Sequence, residues 1–320
     1  MNNLYLGVDT SNYTTSLSLV DDNGVLLNIR KILNVKESER GLRQSDALFL
    51  HTKQLPELCE KLFSQNEYSM ENLRAVGVSS RPRNAEKSYM PCFLAGISFA
   101  KAVSGAMNIP LYCFSHQEGH IEAAARSCGN PEIFKDRFIS FHVSGGTTEV
   151  VLCHRSDCGI ETEIVGGTSD LNAGQAIDRC GVMLGMKFPC GKELESFALL
   201  SEKDFSKQKV CVKDTFCSLS GLENMTLKMF DDGFKKEDIA KFLFTYIAKT
   251  LGVMIQNLRL LYPSLPILLA GGVMSNVLIR NILKTHENIY FASAELSTDN
   301  ACGIGFLAGE KYKKEKSCKI

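Results

Sequence analysis

What this chain lacks narrows its class before any motif is read. Its 12 cysteines contain no Cys-x-x-Cys pair and no regular spacing, so neither a zinc cluster nor a disulfide framework is implied, and they read as the reduced thiols of a cytoplasmic protein. Neither charge sign is in excess: Lys plus Arg and Asp plus Glu both number 36. That excludes a global basic field for nucleic acid or an anionic membrane, and leaves any RNA affinity to local surfaces or partners. The longest apolar stretches, 92–107 and 242–255, contain Lys101 and Lys249 and are too short for a bilayer, so they read as core helices and no membrane partner is expected. No charged, apolar, small-residue leader precedes the first strand, since Met1-Asn2-Asn3 runs directly into Leu4.

What is present is a globular composition, 44% hydrophobic over 320 residues, enough for one large domain or two ordinary ones. Alternation and β-branching predict strands at 4–9, 14–20 and 25–32, joined by the polar turn Thr10-Ser11-Asn12-Tyr13 and by Asp21-Asp22-Asn23-Gly24. Helices at 45–64, with a kink at Pro56, and at 88–107 alternate with strands at 75–79 and 111–114, which is an α/β pattern. The same plan then restarts with strands at 138–143, 148–154 and 161–165. Two copies of one unit are implied. The first spans 1–136 and is completed by a C-terminal helix at 297–320; the second spans 137–296.

Ser115-His116-Gln117-Glu118-Gly119-His120 follows the strand at 111–114. Ser115 with Glu118 three residues on is a capping box, so a helix starts there. His116 and His120 then share one face, with Cβ atoms roughly 5 to 6 Å apart. One metal ion can bridge that spacing; two histidines capping a surface helix fit it equally. The zinc-protease order His-Glu-x-x-His is not met.

Small-residue turns follow a strand at Thr10-Ser11 and at Ser144-Gly145-Gly146-Thr147, the two copies of the unit, and a third follows a strand at Gly271-Gly272. Side chains there are too small to block backbone N–H groups from a phosphate. Each turn alone is an ordinary hairpin signal, but the paired copies point to a nucleotide cleft between two halves. The arrangement resembles the duplicated actin-like fold of actin, hexokinase and Hsp70.

Several segments together resemble the tRNA adenosine threonylcarbamoyltransferases, once labelled O-sialoglycoprotein endopeptidases. They are Gly7-Val8-Asp9-Thr10-Ser11, His116 to His120, Val143-Ser144-Gly145-Gly146, Ala173 to Asp178 with Phe188-Pro189-Cys190-Gly191, Ser220-Gly221-Leu222, Ala270 to Val273 with Asn276, and Ser297 to Ala301. The resemblance implies one divalent metal, iron or zinc, on His116, His120 and Asp299, with His142 at a position where the family has a tyrosine ligand. It implies an adenine nucleotide (ATP, AMP or threonylcarbamoyl adenylate) contacted by Asp9, Ser11, Val143, Ser144, Gly145, Gly146, Asp178, Gly191, Glu195, Gly271, Gly272 and Asn276. The activity implied is transfer of threonylcarbamoyl to the exocyclic amine of the adenine beside the anticodon. The partners implied are tRNA, reached through partner subunits, and proteins of that machinery, an actin-like paralogue among them.

Departures from the family pattern imply a divergent member or paralogue. Tyr13 and Thr14 stand where the first turn carries an Asp-Glu pair implicated in the reaction, Thr147 replaces a histidine, and Glu223 replaces a lysine. Arg81-Pro82-Arg83 replaces Gly-Pro-Gly, with Lys87 nearby. A non-catalytic nucleotide- and metal-binding regulatory or scaffolding module is therefore the alternative reading. A metallopeptidase is a weaker one.

Overall fold

In a computed structural model, residues 2–11, 13–34, 42–64, 68–86, 88–157, 159–297 and 300–318 are described. The chain begins with β1 (Leu4–Asp9), β2 (Thr14–Val20), β3 (Val25–Ile32), α1 (Gln44–Phe63), β4 (Leu73–Arg81), α2 (Phe93–Met107), β5 (Leu111–Ser115) and α3 (His116–Ser127). It continues with β6 (Arg137–Val143), β7 (Thr148–Ser156), β8 (Gly159–Thr168), α4 (Ala173–Met183), α5 (Gly191–Ala198), the short pair β9 (Val212–Lys213) and β10 (Phe216–Cys217), and α6 (Ser220–Asp231). The last elements are α7 (Lys236–Leu261), β11 (Ile267–Ala270), α8 (Val277–Leu283), β12 (Ile289–Phe291) and α9 (Cys302–Ser317). Two compact units result: Met1–Asn130 with Arg155–Glu161 and Thr298–Ile320, and Pro131–His154 with Thr162–Ser297.

In the first unit the strand order is β3-β2-β1-β4-β5. β1 to β3 form the antiparallel meander, while β4 and β5 run parallel to β1 and β4 respectively. Every residue of β1 and β2 is buried, as expected for strands covered on both faces. α1 packs on β2 and α2 on β4; α9 packs on β1 and β4 and carries α3 against it. Leu6, Val8, Leu17, Leu58, Val76 and Val78 form the centre of the core.

The second unit repeats the plan. Its sheet order is β12-β11-β6-β7-β8-β10-β9, so that β8-β7-β6-β11-β12 reproduces β3-β2-β1-β4-β5. β6 and β7 are antiparallel, and β11 is parallel to both β6 and β12. The long α7 is the core helix expected from its composition: Leu243, Ile247, Leu251 and Ile255 are fully or almost fully buried, in one cluster with Ile139, Phe141, Ile267 and Leu269.

Several boundaries differ from those read in the sequence. α2 starts at Phe93 and not at 88, because Pro91 biases Met90 away from the helical region. α9 starts at Cys302 and not at 297, because the Asn300 Oδ1 atom accepts a hydrogen bond from Cys302 N (2.9 Å), a local turn that opens the helix. Between the units, Pro131–Phe134 groups with the second because Phe134 packs edge-on against Phe138 and Tyr290. The tip of the β7–β8 hairpin groups with the first, where Arg155 pairs with Glu122.

α3 and α9 approach each other closely at Gly119 and Gly303. A Cβ on Gly303 would stand 1.9 Å from the carbonyl oxygen of Gly119, a backbone atom that cannot swing aside. Gly303→Ala is therefore expected to destabilise the fold by about 1–3 kcal/mol or more, measured as a lowered urea midpoint at unchanged slope. A midpoint equal to that of the unmodified chain would show that the two helices do not meet this closely.

Candidate functional site

α3 begins as its sequence requires. Ser115 Oγ accepts from Glu118 N (3.2 Å), and Glu118 Oε2 accepts from Ser115 N (2.6 Å), so the capping box is complete. Glu118 is buried, and its Oε1 accepts from Ile160 N (3.1 Å) at the hairpin tip. Gln117 N donates to Pro82 O (3.0 Å), which ties the helix start to the Arg81-Pro82-Arg83 turn, where Arg81 reaches Asn84 Oδ1 (2.8 Å). Lys87 lies outside the described residues.

One turn apart, the rings of His116 and His120 meet edge to face with centroids 4.3 Å apart. His116 Nδ1 lies 2.9 Å from Asp9 Oδ2. An ionised carboxylate only accepts, so His116 donates from Nδ1, and Nε2 is the atom that it can offer to a metal. Asp9 is buried at the end of β1 and also accepts from Ser11 N (3.2 Å), Ser11 Oγ (3.0 Å) and Ser79 Oγ. With His116 Nδ1, those donors surround both oxygens of the Asp9 carboxylate.

A pair of imidazoles, one oriented by a buried carboxylate, fits a borderline divalent metal such as zinc or iron. Of the other expected ligands, His142 sits near the end of β6 in the second unit, opposite Glu149 and Ala270. Asp299 lies outside the described residues. Among the described residues no group of three His, Cys, Asp or Glu side chains is arranged to hold a metal. In the first turn, Thr14 is buried and its N–H donates to Ser11 O (3.2 Å), while Tyr13 is partly exposed and its carbonyl accepts from Leu33 N (2.7 Å).

An ion network that the sequence reading missed holds α3 in place. Glu122, fully buried, lies between Arg126 (2.7 Å) and Arg155, and both arginines also reach Glu310 of α9. Arg126 stacks on Phe306, 5.0 Å from the ring centre. Burial alone would push the Glu122 carboxyl up, but Arg155 and Arg126 hold it below the usual carboxylate range. Burial and the neighbouring Glu122 push Glu310 above that range. The Glu122–Arg126 spacing is readable on a helix; Arg155 and Glu310 are too distant in sequence to be found.

The second unit collects most of the expected nucleotide contacts around the ends of β6 and β11. Gly145 and Gly146 are exposed, and nothing stands within 4 Å of where a Cβ would be at either. Ser144 O accepts from Gly174 N (3.1 Å), joining this turn to the start of α4. Gly271 has φ +100°, and a Cβ there would lie 2.3 Å from Val143 O, so only glycine fits. The Val143 side chain is in the core and offers the site its main chain alone. Gly272 is exposed.

Asp178 Oδ1 accepts from Cys190 N (2.8 Å), fixing the entry to Gly191 and α5. Asn276 caps α8 by accepting from Ile279 N (3.0 Å), and Glu195 Oε1 accepts from Val277 N (2.5 Å) in the same helix turn. A groove of about 760 Å³ is lined by Gly145, Gln175, Asp178, Val182 and Phe188, with the Arg179–Glu223 ion pair (2.8 Å) on its wall.

Asp170 is a second residue that sequence reasoning missed. Its carboxylate accepts from Ser218 Oγ (2.5 Å), Ser220 Oγ (2.7 Å) and Leu219 N (2.8 Å), which anchors Ser220-Gly221-Leu222 at the start of α6. Partial burial would raise its pKa, but hydrogen bonds from Ser218 and Ser220 hold it far below the usual carboxylate range.

Solved structures place this architecture among the actin-like α/β proteins. Full-length HypF in its phosphate- and nucleotide-bound form superposes with a TM-score of 0.58 at 13% identity, over 100% of this chain and 56% of that one. Component A of the (R)-2-hydroxyglutaryl-CoA dehydratase of Acidaminococcus fermentans gives 0.53 at 14% identity, over 99% of each chain.

Sequence narrows the class to a family. Residues 28–306 match the profile described as TsaD, tRNA N6-adenosine threonylcarbamoyltransferase, and the chain belongs to that transferase family. The tRNA N6-adenosine threonylcarbamoyltransferase of Phocaeicola vulgatus is 27% identical, over 100% of this chain and 97% of its own length. That of Fusobacterium nucleatum is 29% identical, over 98% of this chain and 93% of its own length. No helix among the described residues is long and apolar enough to cross a membrane.

The ion network carries a pH signature. Glu122, lowered in the folded state, contributes stability that is present above the ordinary carboxylate range and lost as pH falls through its folded value. Glu310, raised above 4.5, has the opposite sign: its contribution is lost as pH rises through its folded value. Glu310→Gln removes the opposing member, so unfolding free energy should rise more steeply with pH on the acid side than in the unmodified chain. Urea titrations at a series of pH values measure this, and a shallower rise would contradict the assignment.

Proposed function

We propose that this chain transfers a threonylcarbamoyl group from threonylcarbamoyl adenylate to the exocyclic amine of the adenine beside the anticodon of tRNA. Membership of the family supports the reaction class, and the Asp9-oriented imidazole of His116 next to His120 is the observation that carries the metal-dependent form. The amine nitrogen bonds to the carbamoyl carbon, the bond from that carbon to the phosphate oxygen breaks, AMP departs, and the amine loses one proton. In this reading His116 and His120 would hold one divalent ion, iron or zinc, which would supply Lewis-acid polarisation of a carbonyl. The exposed Gly145-Gly146 turn lets the anhydride lie against the main chain, and the groove beside Asp178 takes the adenosine part, which orients the acyl group without a covalent intermediate. The chain acts in the cytoplasm with protein partners that help present tRNA.

A second reading, a regulatory or scaffolding relative that binds nucleotide and metal without turnover, is favoured by the absence of carboxylates at Tyr13 and Thr14. Labelled threonine separates the two. Purified chain with its partners should place the label in tRNA, and His116→Ala should lower that at least about 100-fold. Failure to label under conditions where a relative succeeds would establish the second reading.

Metal content is an independent readout. Asp9→Asn keeps the shape of the side chain but removes the carboxylate acceptor from His116 Nδ1, and should weaken metal retention roughly 10- to 100-fold. Elemental analysis after dialysis against a graded chelator measures it. Equal retention in both proteins would exclude His116 as a ligand held by Asp9.

A further inference from the structure

The groove of the second unit holds an ion pair. Arg179 lies on α4 immediately after Asp178, and Glu223 lies in the first turn of α6. Arg179 Nη1 and Glu223 Oε2 are 2.8 Å apart, and both side chains line the groove together with Gly145 and Asp178. Val182 and Phe188 also line it and are 55% and 74% exposed. Such a groove offers apolar side chains to a base and one guanidinium to an anion.

Two features make that guanidinium exchangeable. The pair is solvated, with side chains 54% and 43% exposed, and solvated pairs contribute little to stability. Glu223 holds it through a single oxygen, whereas a guanidinium presents five donors in a fork that suits a phosphate or carboxylate through two parallel bonds. At the α6 start, Leu219 N and Ser220 N are already engaged by Asp170.

We infer that Arg179 is an anion-binding residue of this groove and that Glu223 is its exchangeable counter-ion, displaced when the phosphate or carboxylate of the ligand arrives. This rests on the groove being the nucleotide site proposed above. Glu223 then sets specificity by charge: it makes anionic ligands compete for Arg179 and leaves a neutral nucleoside unaffected.

Calorimetric titration of the full chain with AMP, and with adenosine as the probe lacking an anion, tests this. Glu223→Gln should tighten AMP roughly 3- to 10-fold and leave adenosine unchanged, and Arg179→Met should weaken AMP by a similar factor. In the Arg179→Met background, Glu223→Gln should change AMP affinity less than about 2-fold. Unchanged or weaker AMP binding in Glu223→Gln, equal tightening of adenosine, or additive effects in the double variant would overturn the exchange.

Gly145→Val separates this from the underlying reading. Open space around Gly145 lets the fold accept the side chain, which narrows the groove. AMP binding that survives it would remove the groove as the nucleotide site and the exchange with it. AMP binding lost there but insensitive to Glu223→Gln would overturn the exchange alone.

Discussion

The close approach of α3 to α9 is the constraint on which the first unit depends. Two helices whose backbones meet at Gly119 and Gly303 have no slack for a side chain between them. Glu122 lies buried along the same helix pair and is held by two arginines. A buried carboxylate is costly unless paired, and its pairing specifies one arrangement of the helices more than it adds stability. That arrangement sets the rotation of α3, and so which way its histidines face. The capping box and the bond from Ile160 to Glu118 fix its start, and Asp9 on the central strand then meets His116.

The second unit positions its candidate groups with a different device, side-chain carboxylates anchored to backbone N–H groups. Asp170 holds the start of α6, Asp178 holds the entry to α5, and Glu195 holds the start of α8. The Asp170 and Glu195 anchors join segments 49 and 82 residues apart, and the Asp178 anchor joins segments 12 apart. Acids at helix starts also complement the helix dipole, so these anchors stabilise as well as orient. The result is a rigid frame around exposed, unobstructed glycines, which is what close approach of an anionic ligand to the main chain requires.

What the sequence disclosed was local or repeated. The capping box at Ser115 and Glu118 is a four-residue pattern, and the duplicated meander is visible because strand and turn signals recur in the same order. Those features survive into the structure as α3 and as the matching strand orders of the two sheets. What it hid was long-range. Asp170 and Ser218 are 48 residues apart, Glu122 and Arg155 are 33 apart, and Arg126 and Glu310 are 184 apart. No periodicity links such partners. Asp9 shows the same limit: its hydrogen bonds to Ser79 and His116 join residues 70 and 107 positions away. The helix starts at Phe93 and Cys302 differ from the sequence expectation because single residues, Pro91 and Asn300, override a longer apolar pattern.

A buried carboxylate fixes one imidazole of the pair so that Nε2 is the nitrogen it offers to a metal, and the metal-dependent reading stands on that tautomer. Nitrogen-15 correlation spectra of the histidine side chains test it most directly. Neutral His116 is predicted to carry its proton on Nδ1, with Nε2 unprotonated, and to lose this preference in Asp9→Asn. A neutral His116 protonated on Nε2 in the unmodified chain would contradict it.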